Sequence, residues 1–192
     1  MKNSKAKEII VPAVSLFLIC VVVTALLALT NAVTAPKIDA LTVETQEASK
    51  KQVLSSAASF SDEKQIEKDG VSYTYYDGLA SDGSVMGYVF VTSAKGYGGD
   101  ISVMVGVLGD GTVAGVNILS INETAGLGMN AKNQSFLDQF LGKSGEIGVA
   151  KNNPSDTEIQ ALTGATITSR AMATAVNTAL SLYAEIGGGQ NG

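Results

Sequence analysis

The chain lacks histidine and tryptophan altogether, and Cys20 is its single cysteine among 192 residues. The absence of histidine excludes a Ser-His-Asp triad and any zinc site built on imidazole, and we expect no metal. One cysteine excludes a disulfide within the chain, although it does not identify the redox compartment. The net charge is −5 and basic clusters are missing, so we expect no nucleic-acid partner.

Charged residues are also missing from residues 9–35, a long apolar stretch near the N-terminus. It exceeds the roughly 20 residues that a helix needs to cross the hydrocarbon core of a membrane. A cleaved signal peptide is the alternative, but its apolar region is only about 7–15 residues long. The one suitable cleavage pattern, ending at Ala35, is followed by Pro36, which should block cleavage. We therefore predict a retained transmembrane helix over 9–35, in contact with membrane lipid.

The charges on either side of this helix predict its orientation. Three lysines and one glutamate precede it in residues 1–8, whereas the far side offers Lys37 and then Asp39. Because positive residues favour the cytoplasmic side, we expect residues 1–8 to be cytoplasmic. The protein is then expected in the cell membrane as a single-pass protein, with its main domain extracytoplasmic.

The rest of the chain divides into three further parts. Residues 36–60 are polar and helix-permissive, which predicts a helical stalk. Residues 61–187 hold the folded domain, and the glycine run that follows predicts a flexible tail over 188–192.

Four runs rich in β-branched and aromatic residues predict strands over 71–78, 85–94, 101–108 and 113–121. Asp-Gly turn signals separate them, as in an antiparallel meander. In the third run, the residues expected to share the core-facing side are Ile101, Val103, Val105 and Val107.

Two helices are predicted after the strands. Residues 135–143 form a short amphipathic pattern, and a longer apolar pattern at helical spacing comprises Met172, Ala175, Val176, Ala179, Leu180 and Tyr183. The fold class is therefore α+β, with one N-terminal transmembrane helix followed by a domain with an antiparallel sheet and flanking helices.

Two glycine-rich stretches, residues 95–100 and 123–129, are candidate ligand sites. Neither is followed by Lys-Ser or Lys-Thr, so they are not nucleotide phosphate loops. They are either turns between strands or places where a flat ligand approaches the backbone closely. Lys95 and Tyr97 in the first stretch are weaker candidates.

The stretch TGATITS, residues 163–169, crowds hydroxyl groups in front of the last helix. Thr168 or Ser169 could be the N-cap of that helix. Alternatively, the hydroxyls and the free amides at the helix N-terminus form a phosphate site, which the helix dipole favours.

The run Thr163-Gly164-Ala165-Thr166 resembles the flavinylation motif of the FMN-binding domain family, in which the closing threonine is esterified to FMN phosphate. The family usually has an aspartate where this chain has Gln160. Together with the apolar helix, KGYGG and Glu-Thr-x-Gly-Leu-Gly, the run resembles the G subunits of the Rnf electron-transport complex over nearly the whole chain. Those G subunits are similar to the C subunits of the sodium-translocating NADH:quinone reductase.

The resemblance implies an electron-transfer subunit with FMN joined covalently to Thr166 by a flavin transferase that uses FAD and magnesium. Its partners would be the other subunits of the Rnf membrane complex, including a second flavinylated membrane subunit. That complex couples ferredoxin oxidation and NAD reduction to sodium or proton transport, and this protein would have no catalytic residue of its own. A freestanding flavinylated carrier and a non-redox anchored module remain alternatives.

The same resemblance assigns residues to the cofactor. Thr163, Thr168 and Ser169 would shape the turn and solvate the phosphate, and Gly164 and Ala165 between them would also belong to the cofactor site. The flavin ring would lie over the backbone of Gly126 to Gly128, with Glu123, Thr124, Leu127 and Thr168 as further candidates for contact with it.

Overall fold

The computed structural model describes residues 2–187. Its first element is helix α1, Lys2–Val53. The predicted tail over 188–192 lies outside the described residues. Within α1, Ile10–Ala32 is long and apolar enough to cross a membrane, which agrees with the predicted N-terminal apolar helix. The chain divides into two compact units, Met1–Gln46 and Glu47–Gly192.

The end of α1 corrects the predicted helical stalk over 36–60. The helix stops at Val53, and Ser59–Phe60 already forms strand β1. The physical reason is burial, because Val53 and Leu54 are 1% and 0% exposed in the core of the second unit. The last turns of α1 therefore belong to the folded domain.

One antiparallel sheet forms the centre of that domain. Its strands are β1, β2 (Lys64–Lys68), β3 (Val71–Leu79), β4 (Val85–Lys95), β5 (Asp100–Leu108) and β6 (Val113–Ser120). The order is β1-β3-β4-β5-β6, with β2 also paired to β3. The predicted meander is confirmed, whereas β1 and β2 were not predicted.

Two aspartates stabilise the tight turns of this meander. Asp82 accepts hydrogen bonds from the backbone amide and hydroxyl of Ser84, at 2.9 and 2.6 Å. Asp110 makes the same pair of bonds with Thr112. In each turn the hydroxyl bond lowers the pKa of the aspartate from its ordinary value, because it favours the charged carboxylate.

The chain after the sheet contains short elements and one long helix. They are a 3₁₀ helix (Gly128–Lys132), α2 (Gln134–Leu137), a 3₁₀ turn (Asp138–Phe140), β7 (Gly148–Ala150), β8 (Glu158–Gln160) and α3 (Thr166–Gly187). The helix predicted over 135–143 is shorter: α2 ends at Leu137, a 3₁₀ turn follows, and the backbone is already non-helical at Leu141 with ψ of 134°. Strands β7 and β8 form a small parallel pair that was not predicted, since three residues carry too little pattern.

Helix α3 packs on one face of the sheet. The four residues predicted to share the core-facing side of β5 are all 0% exposed, as the alternation requires. The helical pattern of α3 is also confirmed by burial of Met172, Ala175, Val176, Ala179 and Leu180.

The opposite face of the sheet receives the end of α1 through a glycine groove, which consists of Gly78, Gly87, Gly106 and Gly115. Cross-strand pairing aligns Gly78 with Gly87 and Gly106 with Gly115. A Cβ atom at Gly106 would lie 2.2 Å from the carbonyl oxygen of Val53, and one at Gly115 would lie 2.7 Å from its Cα. The helix end therefore lies directly on the strands, with no room for side chains between them.

Polar contacts fix the same helix end. Lys50 is 4% exposed, and its ammonium lies 4.2 Å from the centre of the Tyr76 ring. Glu47, one turn earlier, forms an ion pair with it. The amide of Asn117 on β6 donates a hydrogen bond of 2.9 Å to the hydroxyl of Ser49. These contacts of a buried cation with an aromatic ring and a carboxylate are directional, so they help to fix the orientation of the helix end, which apolar packing alone does not.

Candidate functional site

Three segments that are distant in sequence surround a cavity of about 610 Å³. They are the loop between β4 and β5, the loop after β6, and the start of α3. The lining residues are Tyr97, Thr124, Leu127, Gly128, Gly164, Ala165, Thr166, Ile167 and Thr168. The structure thus brings together both glycine-rich stretches and the hydroxyl-rich stretch.

The predicted site residues separate into two groups around this cavity. Those that line it are Thr124, Leu127, Gly128, Gly164, Ala165, Thr166 and Thr168. Those that are not in the lining are Glu123, Gly126, Thr163 and Ser169. Tyr97, the weaker candidate, does line the cavity, and so does Ile167, which the sequence analysis did not select although it stands beside Thr166.

A second cavity, of about 540 Å³, lies along the last turns of α3. None of the predicted site residues lines it. The side-chain amide of Asn177 on its wall is already engaged, because it both accepts from and donates to the backbone of Ile147. The first cavity is therefore the better candidate for a functional site.

Helix α3 begins at Thr166, directly after the turn that carries Gly164 at φ of +75°. Thr168 and Ser169 consequently lie inside the first turn of the helix and not at its N-cap, so the helix-cap prediction is wrong. A left-handed backbone conformation such as that of Gly164 favours glycine, which explains why the turn contains one.

Ser169 stabilises this turn from inside the protein. It is 0% exposed, and its hydroxyl accepts from the backbone amide of Leu162 at 2.9 Å and donates to the carbonyl oxygen of Ala165 at 3.0 Å. Both bonds are local, and the buried group has no access to solvent. Its predicted role in shaping the turn fits this geometry, whereas contact with a phosphate does not.

Thr166 is half-buried on the wall of the cavity, at the N-terminal end of α3. The first amides of an α-helix have no partner within the helix, and its dipole favours a negative group there. A hydroxyl and an anion-favouring helix end therefore occupy the same part of the cavity. This part fits an anionic group such as a phosphate.

Glu123 joins the three segments without lining the cavity. Its Oε1 accepts hydrogen bonds from the backbone amides of Tyr97, at 2.7 Å, and Gly98, at 3.2 Å. Its Oε2 accepts a bond of 3.1 Å from the hydroxyl of Thr168, which is 1% exposed. Both residues are expected from sequence to contact a cofactor, whereas here they are hydrogen-bonded to each other.

The glycines of both stretches make room for this carboxylate and its neighbour. A Cβ atom at Gly96 would lie 2.1 Å from Oε1 of Glu123, and one at Gly128 would lie 2.6 Å from Oε2. One at Gly98 would lie 2.2 Å from the carbonyl oxygen of Asn122. Gly96 and Gly98 therefore allow the first loop to pack against the second, and Gly128 leaves room for Glu123 and Thr168. Neither alternative in the sequence analysis included this reason.

Large apolar side chains also line the cavity. Tyr97, Leu127 and Ile167 are 72%, 43% and 52% exposed, respectively, and all three line the cavity. Exposed large apolar side chains that converge on one concave surface are typical of a ligand site.

The cavity as a whole fits a molecule that combines a planar apolar ring system with a phosphate. Its volume lies within the range of about 300–1,000 Å³ that is usual for cofactor sites. A ring would find contacts on the glycine backbone and on the apolar rim, which consists of Tyr97, Leu127 and Ile167. A phosphate would find them on the first turn of α3. FMN has both parts, so the residues present fit that cofactor.

Comparison with known families gives two matches. Residues 96–181 match the FMN-binding domain, and residues 1–54 match the RnfG N-terminal region. The first match contains all three segments around the cavity, and the second contains α1 to its end.

Named relatives cover most of the chain. The G subunit of the Na(+)-translocating ferredoxin:NAD(+) oxidoreductase complex from Acetobacterium woodii is 38% identical, with 88% of each chain covered. The G subunit of an ion-translocating oxidoreductase complex from Methanosarcina acetivorans is 32% identical, covering 92% of this chain and 95% of the relative. The proton-translocating counterpart from Clostridium ljungdahlii is 43% identical over 54% of this chain and 56% of its own.

Solved structures share the fold at low sequence identity. The crystal structure of the C subunit of Na(+)-translocating NADH-quinone reductase from Parabacteroides distasonis aligns with a TM-score of 0.60 and 20% identity. The alignment covers 76% of this chain and 94% of that one. At this identity the likeness supports the fold alone.

Proposed function

The chain belongs to the family of G subunits of ion-translocating ferredoxin:NAD(+) oxidoreductase complexes, and on this basis we propose that it is the electron-transfer subunit of such a complex. The complex would couple ferredoxin:NAD oxidoreduction to translocation of sodium or protons. The observation that carries the proposal is that Thr166, the first turn of α3 and the apolar rim line the same cavity. Its partners would be the other subunits, including a second flavinylated membrane subunit.

We further propose that FMN is attached covalently to Thr166. A flavin transferase would supply it from FAD: the threonine oxygen bonds to the phosphorus of the flavin half, the pyrophosphate bond breaks, and AMP and a proton leave. FMN supplies the redox chemistry that the side chains of this chain lack. The amides of the first turn of α3 would hold the phosphate, while Tyr97, Leu127 and Ile167 would exclude water from the ring.

The experiment that tests this function starts from the complex isolated from membranes through a tag on this chain. The account predicts that the other subunits co-purify, that reduced ferredoxin bleaches the flavin on this chain, and that NAD⁺ restores its colour. A chain that purifies alone with flavin unresponsive to ferredoxin would instead be a freestanding carrier. A colourless chain would be a non-redox anchored module.

The topology of the chain gives a prediction of its own. We propose that the N-terminus is cytoplasmic and the FMN domain extracytoplasmic, because of the lysines before the apolar helix. A carrier on that side has no cytoplasmic FMN pool, which makes covalent attachment useful.

In a Cys20→Ser background, Asn152→Cys places a thiol on an exposed loop of the domain. A membrane-impermeant maleimide should label it in cells stripped of their wall. The matched variant Ser4→Cys should be labelled only after the membrane is permeabilised. The reverse pattern would contradict the orientation.

A further inference from the structure

The hydrogen bonds between the three walls of the FMN cavity converge on one side chain. Across the described residues, every hydrogen bond between segments 96–99, 122–128 and 163–169 ends on the carboxylate of Glu123. Its partners Tyr97 and Thr168 are 26 and 45 residues away in sequence. Without this group, the three segments would have no direct polar link to one another.

The position of the carboxylate is tightly restricted by its surroundings. A Cβ atom added at Gly96 would lie 2.1 Å from Oε1, and one added at Gly128 would lie 2.6 Å from Oε2. Neither position therefore has space for a larger residue. Bonds that end on a charged group are roughly twice as strong as neutral ones. One carboxylate therefore fixes two loops and a helix end relative to each other.

We infer that Glu123 is the positioning residue of the FMN cavity. It holds the backbone of Tyr97 and the hydroxyl of Thr168 in place, so that the cavity walls are already arranged when the cofactor arrives, and it need not touch the cofactor itself. The inference rests on the proposed function for the identity of the ligand. The arrangement of the walls is a property of the chain alone, and it is measurable without flavin.

The test compares amide hydrogen exchange in the flavin-free full chain with and without the carboxylate. In Glu123→Ala, the amides of Tyr97 and Gly98 should exchange at least about tenfold faster, because each loses its acceptor on a charged group. Glu123→Gln keeps one carbonyl oxygen as acceptor and should restore most of the protection. Glu146→Ala, the same change at an exposed carboxylate outside this cavity, should leave both amides unaffected.

Cofactor loading supplies a second readout. When made with a flavin transferase, Glu123→Ala should still gain FMN on Thr166, but more slowly than wild type, and the bound flavin should be quenched more readily by iodide in solution. Glu123→Gln should resemble wild type. If Glu123→Ala merely weakened the domain in general, glutamine would not restore loading, and the faster amide exchange would not be confined to this loop.

Unchanged exchange at Tyr97 and Gly98 in Glu123→Ala would overturn the inference, whatever the loading result. If wild type itself never gains FMN, the proposed function fails while the exchange experiment still decides the role of Glu123. If Glu123→Ala does not fold, Thr168→Val takes its place: it removes one of the three bonds and should raise exchange at Tyr97 severalfold. No change in that variant would equally contradict the inference.

Discussion

Replacing Thr166 with valine is expected to remove covalent flavin from the protein completely while the fold remains intact. The change exchanges one hydroxyl for one methyl group of similar volume, on a side chain that is only half-buried. Without the hydroxyl oxygen there is no acceptor for the phosphate, whereas the apolar rim and the first turn of α3 are unaltered. The measurement is intact mass after co-expression with a flavin transferase, with circular dichroism to check the fold.

Two matched variants control this experiment. Thr166→Ser keeps a hydroxyl on the same backbone position and should still gain FMN. Thr174→Val makes the same substitution at an exposed position two turns further along α3, so it should load like wild type. Covalent flavin on folded Thr166→Val would disprove the assignment of the attachment residue.

The second large effect is expected in the glycine groove. Gly106→Ala would bring a methyl group to 2.2 Å from the carbonyl oxygen and 2.7 Å from the carbonyl carbon of Val53. Backbone atoms of a helix end cannot move aside as a side-chain tip does, so the helix end or the strand must shift. We expect a loss of about 1–3 kcal/mol in the free energy of unfolding, and more if the end of α1 is displaced entirely.

A graded series separates this clash from the effect of adding a methyl group anywhere. At Gly78 the nearest atom to an added Cβ is the tip of the Leu54 side chain, at 2.3 Å, so Gly78→Ala should cost less than Gly106→Ala. At Gly99 nothing lies within 4 Å, and Gly99→Ala should be neutral. Thermal unfolding of the full chain in detergent measures all three. Equal stability of Gly106→Ala and Gly99→Ala would mean that the end of α1 does not lie in the groove.

Local pattern was enough to predict much of this fold from the sequence. Runs of β-branched and aromatic residues predicted strands β3 to β6, and turns stabilised by aspartate join β3 to β4 and β5 to β6. Helix α3 repeats apolar residues at helical spacing along one side. The uncharged run near the N-terminus needs no tertiary information at all, since length and hydropathy identify a candidate membrane span.

Features that depend on contact between distant segments could not be predicted. The end of α1 at Val53 is set by the sheet beneath it, and the four glycines of the groove are spread over four strands. Nothing in one amino-acid sequence shows that these glycines lie side by side on neighbouring strands. The parallel pair β7 and β8 is too short to show a periodicity.

The candidate site was predictable to a similar extent. The hydroxyl-rich stretch and the two glycine-rich stretches could be selected by composition, and the structure brings them to one cavity. The roles within the site were harder to predict. Both hydrogen bonds of the Ser169 hydroxyl are made to the turn, and Glu123 links the loops to each other. Both roles depend on which partner lies within hydrogen-bond distance, and sequence spacing carries no such information across 45 residues.

Peptide mapping by mass spectrometry, on the chain made together with a flavin transferase, tests the central claim most directly. Cleavage after Lys151 and Arg170 yields one peptide, residues 152–170, that contains the whole hydroxyl-rich stretch. The account predicts that this peptide is heavier by the mass of FMN less one water, and that fragmentation places the addition on Thr166. An unmodified peptide, under conditions in which a known acceptor protein is modified, would contradict it.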